Sequence, residues 1–170
     1  MARISEIMLL QQPEQPVLIV EVHTDMNGMT KAIGDNFIKI DSLFKEQNEV
    51  TTDIPFVEYP HYESLTEQDI RMIIGFKSSG RLQGKEDIKS VIVPARKIVS
   101  CLHRGSYNEL AALYNEMTEW IKLNGYKASG SSIEYYYSNP DVPEASVHRS
   151  IPVPGNRLVW DAVIWIPWLH

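Results

Sequence analysis

The sequence predicts an α+β domain, with two helices on one face of a mostly antiparallel sheet. Three observations predict it. Residues 29–46 and 107–123 carry apolar side chains at helical spacing. Short β-branched or aromatic runs flank each of these stretches. The whole pattern then recurs after about 80 residues, an internal repeat.

The elements follow in order. Ile4 to Gln11 reads as a strand, stopped by Pro13 and Pro16. Val17 to His23 is β-branched and reads as a second strand, with Asp25-Met26-Asn27-Gly28 as the turn after it. In the first helix Met29, Ile33, Phe37, Ile40 and Phe44 fall on one face. Asp53 to Tyr59 and Asp69 to Phe76 are strands, joined by a loop from Pro60 to Glu67. In the second half, Ser90 to Pro94 and Lys97 to His103 are strands, and Arg104-Gly105-Ser106 is a turn. The second helix aligns Leu110, Leu113, Tyr114, Met117, Trp120 and Ile121, and Asn124-Gly125 is its stop signal. Ile133 to Tyr137 is a strand, proline-rich 138–156 a loop, and Arg157 to Ile166 the last strand. A shift of 80 sets Leu18-Ile19 on Ile98-Val99, His23 on His103, Ile33 on Leu113, Phe37 on Met117, and Phe56 on Tyr136. The last strands match only at a shift near 90. Neither unit carries enough apolar surface for its own core, so the two should share a sheet. Repeat one spans about 1–85 and repeat two about 86–170 of a single domain.

Composition excludes several classes. The chain has 170 residues, 44% hydrophobic and 22% charged, as ordinary globular proteins do. One cysteine, Cys101, rules out an internal disulfide and a cysteine-cluster metal site. No apolar run approaches the roughly 20 residues of a membrane span, and no signal peptide is evident, so the expected compartment is the cytoplasm. The net charge is −6, without a basic cluster. Duplex binding uses clustered cations, so direct nucleic-acid binding is not expected.

Most chemical motifs are weak. The Gly80–Glu86 stretch has its glycines one residue too close for a phosphate loop, and Glu86 stands where Ser or Thr belongs. The five histidines lack i, i+4 spacing, and Cys101-x-His103 supplies only two ligands, so no metal and no cofactor are expected. The informative feature is aromatic. Tyr135-Tyr136-Tyr137 alternates faces, with Tyr136 on one and its neighbours on the other. On the last predicted strand, Asp161, Val163 and Trp165 share a face. A carboxylate among aromatic walls suits an organic cation. Packing of the same aromatics in the core is the competing reading.

These residues resemble a known family. His103-Arg104-Gly105-Ser106-Tyr107-Asn108-Glu109-Leu110 is similar to the His-x-Gly-Pro-Tyr-x-x-Leu motif that opens the second helix of GyrI-like small-molecule-binding domains, the effector-binding domains of multidrug-responsive transcription activators. The likeness continues through Tyr114, Trp120-Ile121, Asn124-Gly125 and Glu134-Tyr135-Tyr136-Tyr137-Ser138-Asn139-Pro140. Leu158-Val159-Trp160-Asp161-Ala162-Val163 and Ile166-Pro167 look like its closing strand. The resemblance implies two βαββ repeats with pseudo-twofold symmetry, an eight-stranded saddle-shaped sheet, and a ligand cleft between two helices. It also implies a standalone member, since the sequence begins at the first strand. Many members carry a cleft glutamate four residues before the closing proline. By that spacing Val163 stands there, with Ile73 as its first-repeat counterpart, so the cleft should be weakly charged.

The expected function is binding of an amphipathic or planar organic ligand, for sensing or sequestration. The expected cleft residues are Tyr59, Tyr107, Tyr114, Tyr136, Asp161 and Trp165. The expected ligand is small and hydrophobic or cationic, with no membrane partner. Two alternatives use the same surface: a hydrolase of small reactive compounds, or a protein-interaction module such as a DNA gyrase inhibitor. Hydrolysis needs a general acid or base within reach of the scissile bond, and Asp161 is the one carboxylate expected there.

Overall fold

The computed structural model describes residues 5–51, 54–106, 109–137 and 144–153. The strands are β1 (Met8–Gln12), β2 (Gln15–Thr24), β3 (Phe56–Tyr59), β4 (Ile70–Lys77), β5 (Lys89–Val93), β6 (Arg96–Ser106), β7 (Ser132–Tyr136) and β8 (Glu144–Val153). The helices are α1 (Met26–Glu46) and α2 (Leu110–Leu123). The strands make one sheet in the order β1-β6-β8-β7-β3-β4-β2-β5. Every neighbouring pair is antiparallel.

Both helices lie on the same side of this sheet. Ile33 of α1 and Leu110, Leu113, Tyr114, Met117 and Ile121 of α2 share one buried cluster with Val57, Met72, Ile74, Val99, Cys101 and Tyr136 of the strands. A second cluster joins Ile40, Leu43 and Phe44 of α1 to Leu18 and Val20 of β2. Val17, Ile19, Phe56, Ile133 and Tyr135 form a third cluster on the opposite sheet face, as strand alternation requires. Ile40 and Met117 are fully buried, while Phe37 and Trp120 are half-buried at the helix margins.

The structure corrects several expectations. Asp25-Met26-Asn27-Gly28 is no free turn. Asp25 is the N-cap of α1, and its carboxylate accepts from the Gly28 backbone N–H at 2.8 Å. Tyr62–Ser64, inside the expected loop, is a 3-10 turn whose Tyr62 N–H donates to the Gly130 carbonyl at 2.9 Å. Arg104-Gly105-Ser106 continues β6, because Ser146, Ala145 and Glu144 pair with it.

The largest correction is β8. The four prolines of 138–156 suggested a loop, yet residues 144–153 pair with both β6 and β7. β7 stops pairing at Ser150, so among the described residues one flank of Pro152 has no ladder, and a residue without N–H is tolerated there. The expected last strand, Arg157 to Ile166, lies outside the described residues.

The offset of 80 is also corrected. Leu18 faces α1, but on β6 that face belongs to Val99 and Cys101, one step from Ile98. A one-residue slip exchanges sheet faces. His23 is exposed and His103 fully buried, so they are not equivalent. Phe56 pairs with Tyr135 and lies on the face away from Tyr136. Phe76 lies opposite Leu18, but the strand expected to match it at a shift near 90 lies outside the described residues.

Candidate functional site

The centre of the sheet is the junction of β3 and β7. Val57 pairs with Glu134 and Tyr59 with Ser132, and all four positions face the helices by strand alternation. Tyr136 follows on the same face, its backbone N–H donating to the Pro55 carbonyl at 3.0 Å. Glu134 is only 5% exposed, and its Oε2 accepts a hydrogen bond from the Tyr136 hydroxyl. Burial is the main force holding the Tyr136 phenol well above its usual value near 10. The Glu134 charge and the bonded hydroxyl of Tyr59 push the same way. A buried carboxylate is costly unless hydrogen-bonded, and Tyr136 supplies a donor that stays protonated.

Aromatic rings extend from this polar centre toward both helices. Phe37 of α1 lies 6.2 Å from the Tyr136 ring and 5.7 Å from Phe76. Tyr59 meets Tyr62 edge-on at 6.2 Å. Tyr62 in turn lies against Tyr114 of α2, with centroids 4.1 Å apart and planes 38° apart. The Tyr114 hydroxyl donates to Glu63 Oε1 at 3.3 Å. The rings thus bridge α1 to α2 above Glu134.

Of the six expected site residues, Tyr59, Tyr114 and Tyr136 stand in this array. Tyr107, Asp161 and Trp165 lie outside the described residues. Ile73 packs with the cluster on the far sheet face, so Ile70, Met72, Ile74 and Phe76 are the β4 residues facing the helices. With β8 ending at Val153, the proline near its end is Pro152, and the position four residues before it is His148 rather than Val163. Sequence reasoning missed Glu134, Tyr62 and Ser132. Glu134 and Ser132 were detectable, since both share parity with Tyr136. Tyr62 carries no periodic signal.

Other features are less suited to chemistry. A surface groove of about 520 Å³ lies beside the end of α1, lined by Phe44, Asn48, Glu49, Lys77 and Arg81 among others. Its carboxylate, Glu49, already accepts from the Ser79 hydroxyl and faces Arg81. Among the described residues, no three His, Cys, Asp or Glu side chains group to hold a metal. No helix among them is long and apolar enough to cross a membrane.

The model of the GyrI-like small molecule binding domain matches residues 5–154. The chain belongs to the GyrI-like family. The end of that match coincides with β8, and so places the closing strand of this GyrI-like domain at 144–153.

Solved structures share the fold. The C-terminal domain of EcmrR superposes with a TM-score of 0.67 at 22% identity, over 88% of this chain and 97% of that one. In the EcmrR–DNA complex the TM-score is 0.68 at 22% identity, over 87% of this chain but only 57% of the EcmrR chain. A Listeria innocua protein described as a hydrolase, encoded by lin2189, gives 0.65 at 14% identity, over 88% and 92% of the two chains. SAV2435 bound to tetraphenylphosphonium gives 0.53 at 12% identity, over 89% and 95%. No curated protein matches the GyrI-like domain by sequence.

Proposed function

We propose that this GyrI-like domain captures an amphipathic or planar organic ligand between α1 and α2, for sensing or sequestration. The observation that carries the reading is the tyrosine array closing over the Glu134–Tyr136–Tyr59 hydrogen bonds. A planar ring replaces Tyr62 against Tyr114 and gains stacking at little conformational cost. The strand order reads the same from either end when β1, β2, β3 and β4 are exchanged for β5, β6, β7 and β8. That palindrome supports two βαββ repeats about a pseudo-twofold axis, in one saddle-shaped domain spanning 1–170. The expected setting is the cytoplasm, without direct nucleic-acid contact.

Ligand charge matters less than shape. Glu134 already accepts from Tyr136, and Arg149 holds the register position opposite it on β8. A carboxylate whose oxygen already takes an internal donor has less to offer a cation. Neutral planar compounds therefore compete well with cations such as the tetraphenylphosphonium bound by SAV2435. Calorimetric titration of tetraphenylphosphonium and of a neutral planar dye is the test. Tyr114→Ala weakens both by at least about tenfold, while Glu134→Gln weakens the cation by no more than about tenfold. If Tyr114→Ala changes neither, the ligand sits elsewhere and the reading is wrong.

A second reading, hydrolysis, draws on the same carboxylate and phenol, which together are an acid–base pair, and on the Listeria innocua relative. Product formed from a bound reactive compound, and lost in Glu134→Gln, would favour it over simple capture.

A further inference from the structure

Ser132 is fully buried, and its Oγ has no hydrogen-bond partner among the described residues. Such a hydroxyl costs free energy in the unliganded protein, because water is gone and nothing replaces it. Its place is not incidental. Ser132 lies two residues before Glu134 on β7, on the helix-facing side. It pairs with Tyr59, whose ring meets Tyr62 in the array. Its neighbour Ser131 points the other way and bonds Glu58 Oε1 at 2.7 Å. The orphaned hydroxyl therefore lies on the helix-facing side of the sheet, across the strand pair from the Tyr59 whose ring meets Tyr62.

We propose that Ser132 is the polar specificity determinant of the cleft, donating to a ring nitrogen or carbonyl oxygen of a planar ligand. The ligand class is then a heteroaromatic or carbonyl-bearing ring system rather than a plain hydrocarbon. A site that offers a buried donor rejects the isostere lacking the acceptor, since the donor stays unmet. This inference rests on the ligand-capture reading above.

The test uses the full chain with quinoline and naphthalene, which differ by one ring nitrogen, titrated calorimetrically at neutral pH. Wild type prefers quinoline by about tenfold. Ser132→Ala abolishes the preference, by weakening quinoline and leaving naphthalene within about twofold. Its thermal midpoint is equal to or above that of wild type, because a buried orphan has been removed. Ser132→Cys, a weaker donor of similar size, gives an intermediate preference. Equal binding of both compounds to wild type overturns the Ser132 assignment and leaves ligand capture standing. So does an equal loss of both in Ser132→Ala, or a clearly lowered midpoint. If Tyr62→Ala changes neither compound's binding, the capture site itself is wrong, and the Ser132 proposal falls with it.

Discussion

The Tyr136 phenol is the proton that keeps a carboxylate tolerable inside the sheet–helix interface. Its folded pKa lies well above the unfolded value near 10, with burial as the main cause. A raised folded pKa stabilises fully below the unfolded value and loses that contribution as pH climbs through the folded one. Stability should therefore fall above about pH 10, and fall less steeply in Tyr136→Phe. At neutral pH the same substitution removes a hydrogen bond to a charged group and should cost about 1.5–3 kcal/mol. Urea unfolding at neutral and alkaline pH measures both effects, and parallel pH curves for the two proteins would contradict the assignment. Tyr136 was legible from the sequence because a three-tyrosine run on a strand must divide its faces. Glu134 went unread although parity places it beside Tyr136, since the acidic candidate was sought in the Asp161 segment. Tyr62 was beyond reach, for its position depends on a 3-10 turn pinned to Gly130.

Two elements show how local chemistry sets the scaffold. α1 begins where the Asp25 carboxylate takes the Gly28 N–H. Asp25→Ala should cost about 1 kcal/mol, read as a shift in the urea midpoint without a change in slope. β4 admits Phe56 across its surface only because residue 75 is glycine. A Cβ there would lie 2.6 Å from the Leu18 carbonyl oxygen and 2.9 Å from the Phe56 ring. Gly75→Ala should destabilise by about 1–3 kcal/mol, as overpacking does. A neutral result would mean that β2 can retreat. The two helices were legible because their stripes repeat over several turns. β8 was not, because four prolines in 138–156 outweighed the alternation of Ala145, Val147, Ile151 and Val153.

Across the whole molecule, one cluster ties both halves together, and Met117 lies fully buried within it. Met117→Ala should cost about 2–5 kcal/mol and lower the single unfolding midpoint rather than split it in two. Calorimetry decides, and two separated transitions would show that the halves hold independent cores. The shared sheet was legible from the thin apolar supply of each half. The register was not: helices tolerate a one-residue slip that strands do not, so an offset read from helix stripes put β2 and β6 on opposite faces.

One consequence of the sheet order concerns time. β1 pairs with β6, joining Met8 to Ser100, and β2 pairs with β5. On the ribosome, at roughly 5–20 residues per second, β1 waits on the order of 5–20 s for its partner to be synthesised. Throughout that interval Met8, Leu9 and Leu10 emerge ahead of the strand that covers them. The nascent chain is thus a natural client for a holding chaperone, and its refolding rate is limited by closing this long loop rather than by forming either helix.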